Sequence, residues 1–267
     1  MQKMSPDQYF VFILVVRMII TAAFVLAATI TAERAGPLVG GLVATLPLGG
    51  GPVYVFLAID HDSAFIAASA VNSLAINVVN VIFALTYALL AQKRSLGVSQ
   101  GVAMVVWSAL AWSVYLVQWT VTSAVLINIV VLTVCIAIAR PLRNVPIPRV
   151  HIRWVDLALR AAMVAALVGV VVTLSFTIGP SGSGILAIFP IILISMQIIL
   201  HRRVGGRPAA AVMANAVLGL VGFAFACVVL HFTAVPFGSA IGLSLALATS
   251  IAWGLIVLLA RRHGIAV

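Results

Sequence analysis

The sequence predicts an all-α polytopic membrane protein of about nine transmembrane helices. In this reading two inverted four-helix repeats are joined by a connecting helix, and the second helix of each repeat is broken or kinked. Three observations lead there. The 267 residues are 64% hydrophobic and 7% charged, with mean hydropathy +1.27, where a soluble domain carries about 25% charge. The basic residues alternate between successive loops. And the chain matches itself at an offset of 143 residues.

The apolar runs are continuous, so a β-barrel, which alternates polar and apolar residues, is excluded. They delimit spans at roughly 9–31, 36–60, 63–91, 97–117, 120–139, 154–178, 181–201, 207–233 and 237–260. Each suits the ~20 residues that cross hydrocarbon, and the third and eighth are long enough to tilt or protrude. The first run is too long for a signal-peptide core and is interrupted by Arg17, so it is expected to be retained as a helix. Cys135 and Cys227 lie in apolar runs and suggest no disulfide framework.

Lysine and arginine set the orientation. With the C-terminus in the cytoplasm and nine spans, the inner segments hold 13 of the 15 basic residues. Arg34, Lys93, Arg94, the cluster from Arg140 to Arg160, Arg202, Arg203, Arg207, Arg261 and Arg262 all fall inside. The outer side keeps Lys3, and its loops, Asp60-His61-Asp62 among them, are acidic or uncharged. Trp112, Tyr115 and Trp119 mark the outer interface as an aromatic belt. The expectation is an integral protein of a bacterial cytoplasmic (inner) membrane, N-terminus outside. The net charge of +10 then reports topology, and no nucleic-acid partner is expected.

At the 143-residue offset, Arg17 meets Arg160, Gly36-Pro37 meets Gly179-Pro180, Gly41 meets Gly184, Ala44 meets Ala187 and Pro47 meets Pro190. Nine of the 31 positions from 17 to 47 are identical, and Asn72 later meets Asn215. The shared pattern Gly-Pro-x3-Gly-x2-Ala-x2-Pro is harder to obtain by chance than its alanines. Span one matches span six. Five spans separate their starts, and an odd shift inverts a copy across the membrane. The chain divides into a first repeat (1–118), a connecting helix and basic loop (119–153) and an inverted second repeat (154–267). Inverted repeats with discontinuous helices are a common build of secondary transporters, with substrate held near the midplane.

Span two carries the strongest local signal, Pro47-Leu48-Gly49-Gly50-Gly51-Pro52. Pro47 removes a backbone donor, the glycines free the backbone, and Pro52 suits the first turn of a new helix. Pro47 lies eleven residues after Gly36, roughly 16 Å along a helix and near mid-bilayer. An opening there must be buried in protein or line a wet cavity. The second copy lacks the glycines after Pro190, which predicts a kink.

Span three carries Ser69, Asn72, Ser73, Asn77, Asn80 and Tyr87, all within one arc of about 140° at 100° per residue. Such a stripe lines a cavity or bonds to neighbouring helices. Gln197 is a further cavity candidate. Asp156 stands four residues before Arg160, the spacing of a local ion pair, and Arg17 can reach Asp60 or Asp62.

Pro47, Gly49, Gly50, Gly51, Asn72, Asn77, Asn80, Gln197 and Arg17 are therefore the candidate substrate-binding residues. The function expected is a carrier of a small anionic or zwitterionic solute working by alternating access. A channel or lipid flippase is the alternative, and an enzyme acting on a lipid head group a weaker one. No catalytic motif, metal site or cofactor is expected. A coupling ion, Na+ or H+, is left open. The partners expected are a small-molecule substrate and the lipid bilayer.

Overall fold

The computed structural model describes residues 6–34, 50–143, 145 and 153–263. Among them the chain forms α-helices and no strand: α1 (Pro6–Arg34), α2 (Gly50–Asp60), α3 (Ser63–Leu90), α4 (Leu96–Tyr115), α5 (Val121–Ala139), α6 (Trp154–Ala187), α7 (Ile191–Val204), α8 (Gly206–Phe237) and α9 (Ser239–Arg262). Seven of the helical stretches are long and apolar enough to cross a membrane, α6 and α7 forming one stretch, and α2 is a shorter apolar helix of 11 residues. The chain is an α-helical integral membrane protein. Pro47 and Gly49, with the first half of the expected second span, lie outside the described residues.

The expected spans and the observed helices coincide where an apolar run is bounded by polar residues. Asp62 closes one such boundary. Its carboxylate accepts from the Phe65 amide at 2.8 Å and caps α3, satisfying one of the orphan donors of a helix start.

α3 is the core of the molecule, with Phe83 and Tyr87 among its fully buried side chains. It packs against α4, α5, α6 and α8. The α8 contact is antiparallel. His231 of α8 lies 2.9 Å from the Ala67 carbonyl, Asn77 donates to Leu220 O at 3.1 Å, and Gly206 abuts the Ala91 carbonyl. As the number rises in α3 it falls in α8. α1 packs on α6, with Met18 against Gly169. α1 and α9 are the least buried spans, as expected of helices facing lipid.

Two ion pairs tie neighbouring helices together at opposite ends of the molecule. Arg17 of α1 binds Asp60 at the end of α2 through both guanidinium nitrogens, one of them at 2.7 Å. Asp156 of α6 binds Arg203 at the end of α7. The i, i+4 spacing pointed to Arg160, and the carboxylate also reaches across to Arg203. The Asp156 carboxylate turns toward the helix start, where it also accepts the Arg153 amide at 3.0 Å, and so reaches α7. Both pairs are 14–22% exposed, so loss of one partner strands a largely desolvated charge. Asp60→Asn and Arg17→Gln should each lower stability in detergent by about 2 kcal/mol. The swap of Arg17→Asp with Asp60→Arg should recover most of it, read as apparent melting temperature. Additive losses in the swap would contradict the pairing.

Candidate functional site

The site is built around the interruption between α6 and α7. α6 changes course at Gly179, whose φ of 63° and ψ of −171° belong to a region open essentially to glycine alone. Pro180 restarts the helix, which stops at Ala187, and α7 begins at Ile191. Ile188 (φ −113°, ψ 25°) and Pro190 (φ −76°, ψ 42°) have left helical geometry. Three residues therefore leave the helix where a simple kink was expected. The cause is Pro190, which has no amide to offer the preceding turn. The chain compensates locally, with Phe189 N donating to Leu186 O at 3.0 Å and Ile191 N to Phe189 O at 2.7 Å.

That repair leaves the Gly184 and Ile188 carbonyls without helical partners inside the protein, where each needs a donor. α3 supplies them. Ser73 Oγ donates to Gly184 O at 2.6 Å and Asn80 Nδ2 to Ile188 O at 2.8 Å, and further along Tyr87 OH donates to Gln197 O, within α7, at 3.3 Å. These three are spaced seven residues apart, two helical turns, so they share one face. Tyr87 OH also lies 2.8 Å from His201 Nδ1. Asn80 is itself held by Trp107 Nε1, which donates to its Oδ1 at 2.7 Å. Trp107 in turn meets Phe189 edge-on with centroids 4.8 Å apart. Tyr54 of α2 extends the chain of hydroxyls, its OH lying 2.7 Å from Ser73 Oγ.

α3 and α6 touch backbone to backbone here. A Cβ built on Gly184 would run into the Ser69 carbonyl, with Asn72 Cβ at 3.0 Å. The start of α2 arrives at the same place. From a Cβ position on Gly50, Ile188 Cγ2 is 3.2 Å and Ala187 O 3.4 Å away. The first described turn of α2 thus abuts the end of the short helix that closes at Ala187.

Of the candidate residues, Gly50, Gly51, Asn72, Asn80 and Gln197 belong to this crossing or its immediate elements. Asn72 Nδ2 donates to Ala68 O at 3.0 Å. Gln197 is fully buried, with Nε2 3.5 Å from Met213 Sδ and Oε1 without a partner among the described residues. Asn77 faces away, toward α5 and α8. It donates to Asn128 Oδ1 at 2.9 Å as well as to Leu220 O, and Asn128 donates to Leu74 O at 2.7 Å. Arg17 is held at the far end of α2, beside Asp60, ten residues or roughly 15 Å from Gly50. Among the described residues, Ser69 Oγ and Ser183 Oγ are also buried and unpartnered. They flank Gly184 in the chain or in space.

Trp107, Tyr54 and Gly184 carry the site and were not singled out as site residues from the sequence. The regular spacing of Ser73, Asn80 and Tyr87 was the available signal for a shared target. Among the described residues no group of three histidine, cysteine or acidic side chains is placed to hold a metal ion. Compared with protein-family models, with curated proteins and with solved structures, the chain matches none.

Proposed function

We propose that this protein is a secondary carrier of two inverted four-helix repeats, moving a small anionic or zwitterionic solute by alternating access at the crossing of α2 with the α6–α7 interruption. One observation carries the reading. Asn77 donates to the carbonyl of Leu220, which lies 143 residues further along, the offset of the internal sequence match. In two copies related by a two-fold axis in the membrane plane, a residue on the axis meets its own counterpart.

The rest of the register agrees with it. Ser63 and Gly206, the first residues of α3 and α8, are 143 apart, and so are Leu96 and Ser239, the first residues of α4 and α9. Asn72 and Asn215 occupy the same offset and each donates to the carbonyl four residues back. Asp60 and Arg203, again 143 apart, each end the short helix of their copy in an ion pair with the helix before it. Antiparallel packing of α3 on α8 is what an inverted relation requires.

This arrangement supports nine crossings, with α5 and the basic segment after it linking copies of opposite orientation. The lysine and arginine distribution supports a cytoplasmic C-terminus in a bacterial inner membrane. At the crossing, the amides that the Pro47 to Pro52 sequence is expected to free would favour a carboxylate or phosphate, while the unpartnered oxygens of Ser69 and Ser183 suit ammonium or hydroxyl groups. Asp60, Asp62 and Asp156 sit at helix ends, so a coupling cation at the crossing would meet neutral oxygens, a setting that favours Na+ over a proton relay.

Counterflow in liposomes tests this. Radiolabelled amino acids and organic anions should exchange against an internal pool, faster with a sodium gradient, and Asn80→Ala should abolish exchange. Uptake of neutral solutes alone overturns the solute class. Ion conductance at rates far above carrier turnover points to a channel, and movement of labelled lipid alone to a flippase.

A further inference from the structure

Between α1, α2, α8 and α9 runs a cleft of about 780 Å3, which meets the crossing only at its inner end, beside Gly50 and Tyr54. One wall is α2 from Gly50 to Ile59, nine residues of rise or roughly 14 Å, about half of a ~30 Å hydrocarbon layer. The cleft therefore extends from the Asp60 end of the molecule to about mid-bilayer. Phe223 and Leu230 of α8 and Leu243 of α9 face α2 across it.

Its hydroxyls are already engaged. Thr21 Oγ1 donates to Arg17 O at 2.9 Å, Tyr54 OH bonds Ser73 at 2.7 Å, Ser239 bonds Ser63 at 3.0 Å, and Ser244 donates to Ala240 O at 2.9 Å. A polar solute entering here gives up water and gains no partner, whereas an alkyl chain gives up nothing. The rim is apolar and open sideways: Phe24, Val55, Ile59 and Leu247 are 43–65% exposed on membrane helices, so the opening faces hydrocarbon.

Beside the Asp60 end of the cleft lies an ion pair. Arg17 lies with its guanidinium carbon 5.5 Å from the centroid of Phe56, a wall residue, and binds Asp60. Asp60 ends α2 at the turn into α3, so the pair presents one cation and one anion beside that end of the cleft. Its complement is a head group carrying both signs, with phosphate against Arg17 and ammonium against Asp60.

We propose that this cleft seats one alkyl chain of a zwitterionic phospholipid from the leaflet on the Asp60 side, with its head group over the Arg17–Asp60 pair. This lipid is distinct from the solute bound at the crossing, and the proposal stands whether or not the protein is a carrier.

Native mass spectrometry of the detergent-solubilised protein with phosphatidylethanolamine or phosphatidylglycerol tests it without any transport step. The wild type should retain one phosphatidylethanolamine, severalfold in preference to phosphatidylglycerol at equal concentration, and that lipid should raise its apparent melting temperature. Ser244→Trp and Ala240→Trp, which fill the cleft from exposed positions on α9, should each lose the bound lipid. Leu126→Trp, on the exposed face of α5 at 59% exposure, should keep it. Equal retention of both lipids, or retention unchanged in whichever α9 variant folds, overturns the proposal. The wild-type preference alone decides the head-group assignment if neither variant folds.

Discussion

Gly184→Ala is expected to cost about 3 kcal/mol. The new Cβ would occupy the space of the Ser69 backbone carbonyl. A flexible side chain could swing aside, but a carbonyl inside α3 can move only with its helix. Moving α3 away from α6 lengthens the bonds from Ser73 to Gly184 O and from Asn80 to Ile188 O, now 2.6 and 2.8 Å. Packing and polar satisfaction are thus lost together. Gly219→Ala in α8 is the matched control, because a Cβ there meets nothing within 4 Å. It should be neutral or stabilise by up to about 1 kcal/mol through helix propensity. Denaturation of both variants in the same detergent reads the difference. Equal stabilities would mean that α3 and α6 do not approach as described.

Asn80→Leu should also be strongly damaging, at about 2–4 kcal/mol, although it roughly keeps the side-chain volume. It orphans two buried groups at once, the Ile188 carbonyl and Trp107 Nε1–H, each costing about 1–3 kcal/mol when left unsatisfied. Hydrogen bonds between membrane helices often contribute only about 0.6 kcal/mol, because the freed groups find new partners. The Ile188 carbonyl has less choice, since the helix that would have bonded it is interrupted at Pro190. Thr133→Val, which removes only an exposed bond from Thr133 Oγ1 to Ile129 O, should be near neutral. Trp107→Phe with Asn80→Leu should cost less than the two single changes together, because they share one bond.

Helix positions were legible wherever composition changed sharply. α3 was expected at 63–91 and runs Ser63–Leu90, and α5 was expected at 120–139 and runs Val121–Ala139. Hydropathy reads such edges directly, because leaving hydrocarbon requires polar residues. The course of 178–191 was less legible. Gly179-Pro180 and Pro190 mark the places, but whether a proline kinks or interrupts a helix depends on donors from elsewhere. Here they come from Ser73 and Asn80, more than a hundred residues away.

The polar stripe of α3 was visible as one arc, yet it serves two sets of neighbours. Ser73, Asn80 and Tyr87, near its middle, hold α6 and α7, while Asn77 at its edge joins α5 and α8. Periodicity assigns a side chain to a face and says nothing of what covers that face. Arg17 had two candidate partners. Asp62 is taken up in capping α3, which leaves Asp60, and the Asp-x-x-Phe start of α3 was the local clue. Of the candidate site residues, Gly50, Asn72 and Asn80 touch the segment from Gly184 to Ile188, Gln197 is buried further along α7, and Asn77 and Arg17 lie apart.

Site-directed labelling tests the inverted architecture most directly. In a background of Cys135→Ala and Cys227→Ala, single cysteines replace Asp62, Lys93, Arg202 and Phe237, four positions near helix ends. Intact cells are then treated with a membrane-impermeant maleimide. The two-fold relation predicts labelling from outside at 62 and 237 and protection at 93 and 202 until the cells are opened. Near-counterparts in the two copies then lie on opposite faces. Labelling of 62 and 202 from the same side would contradict it.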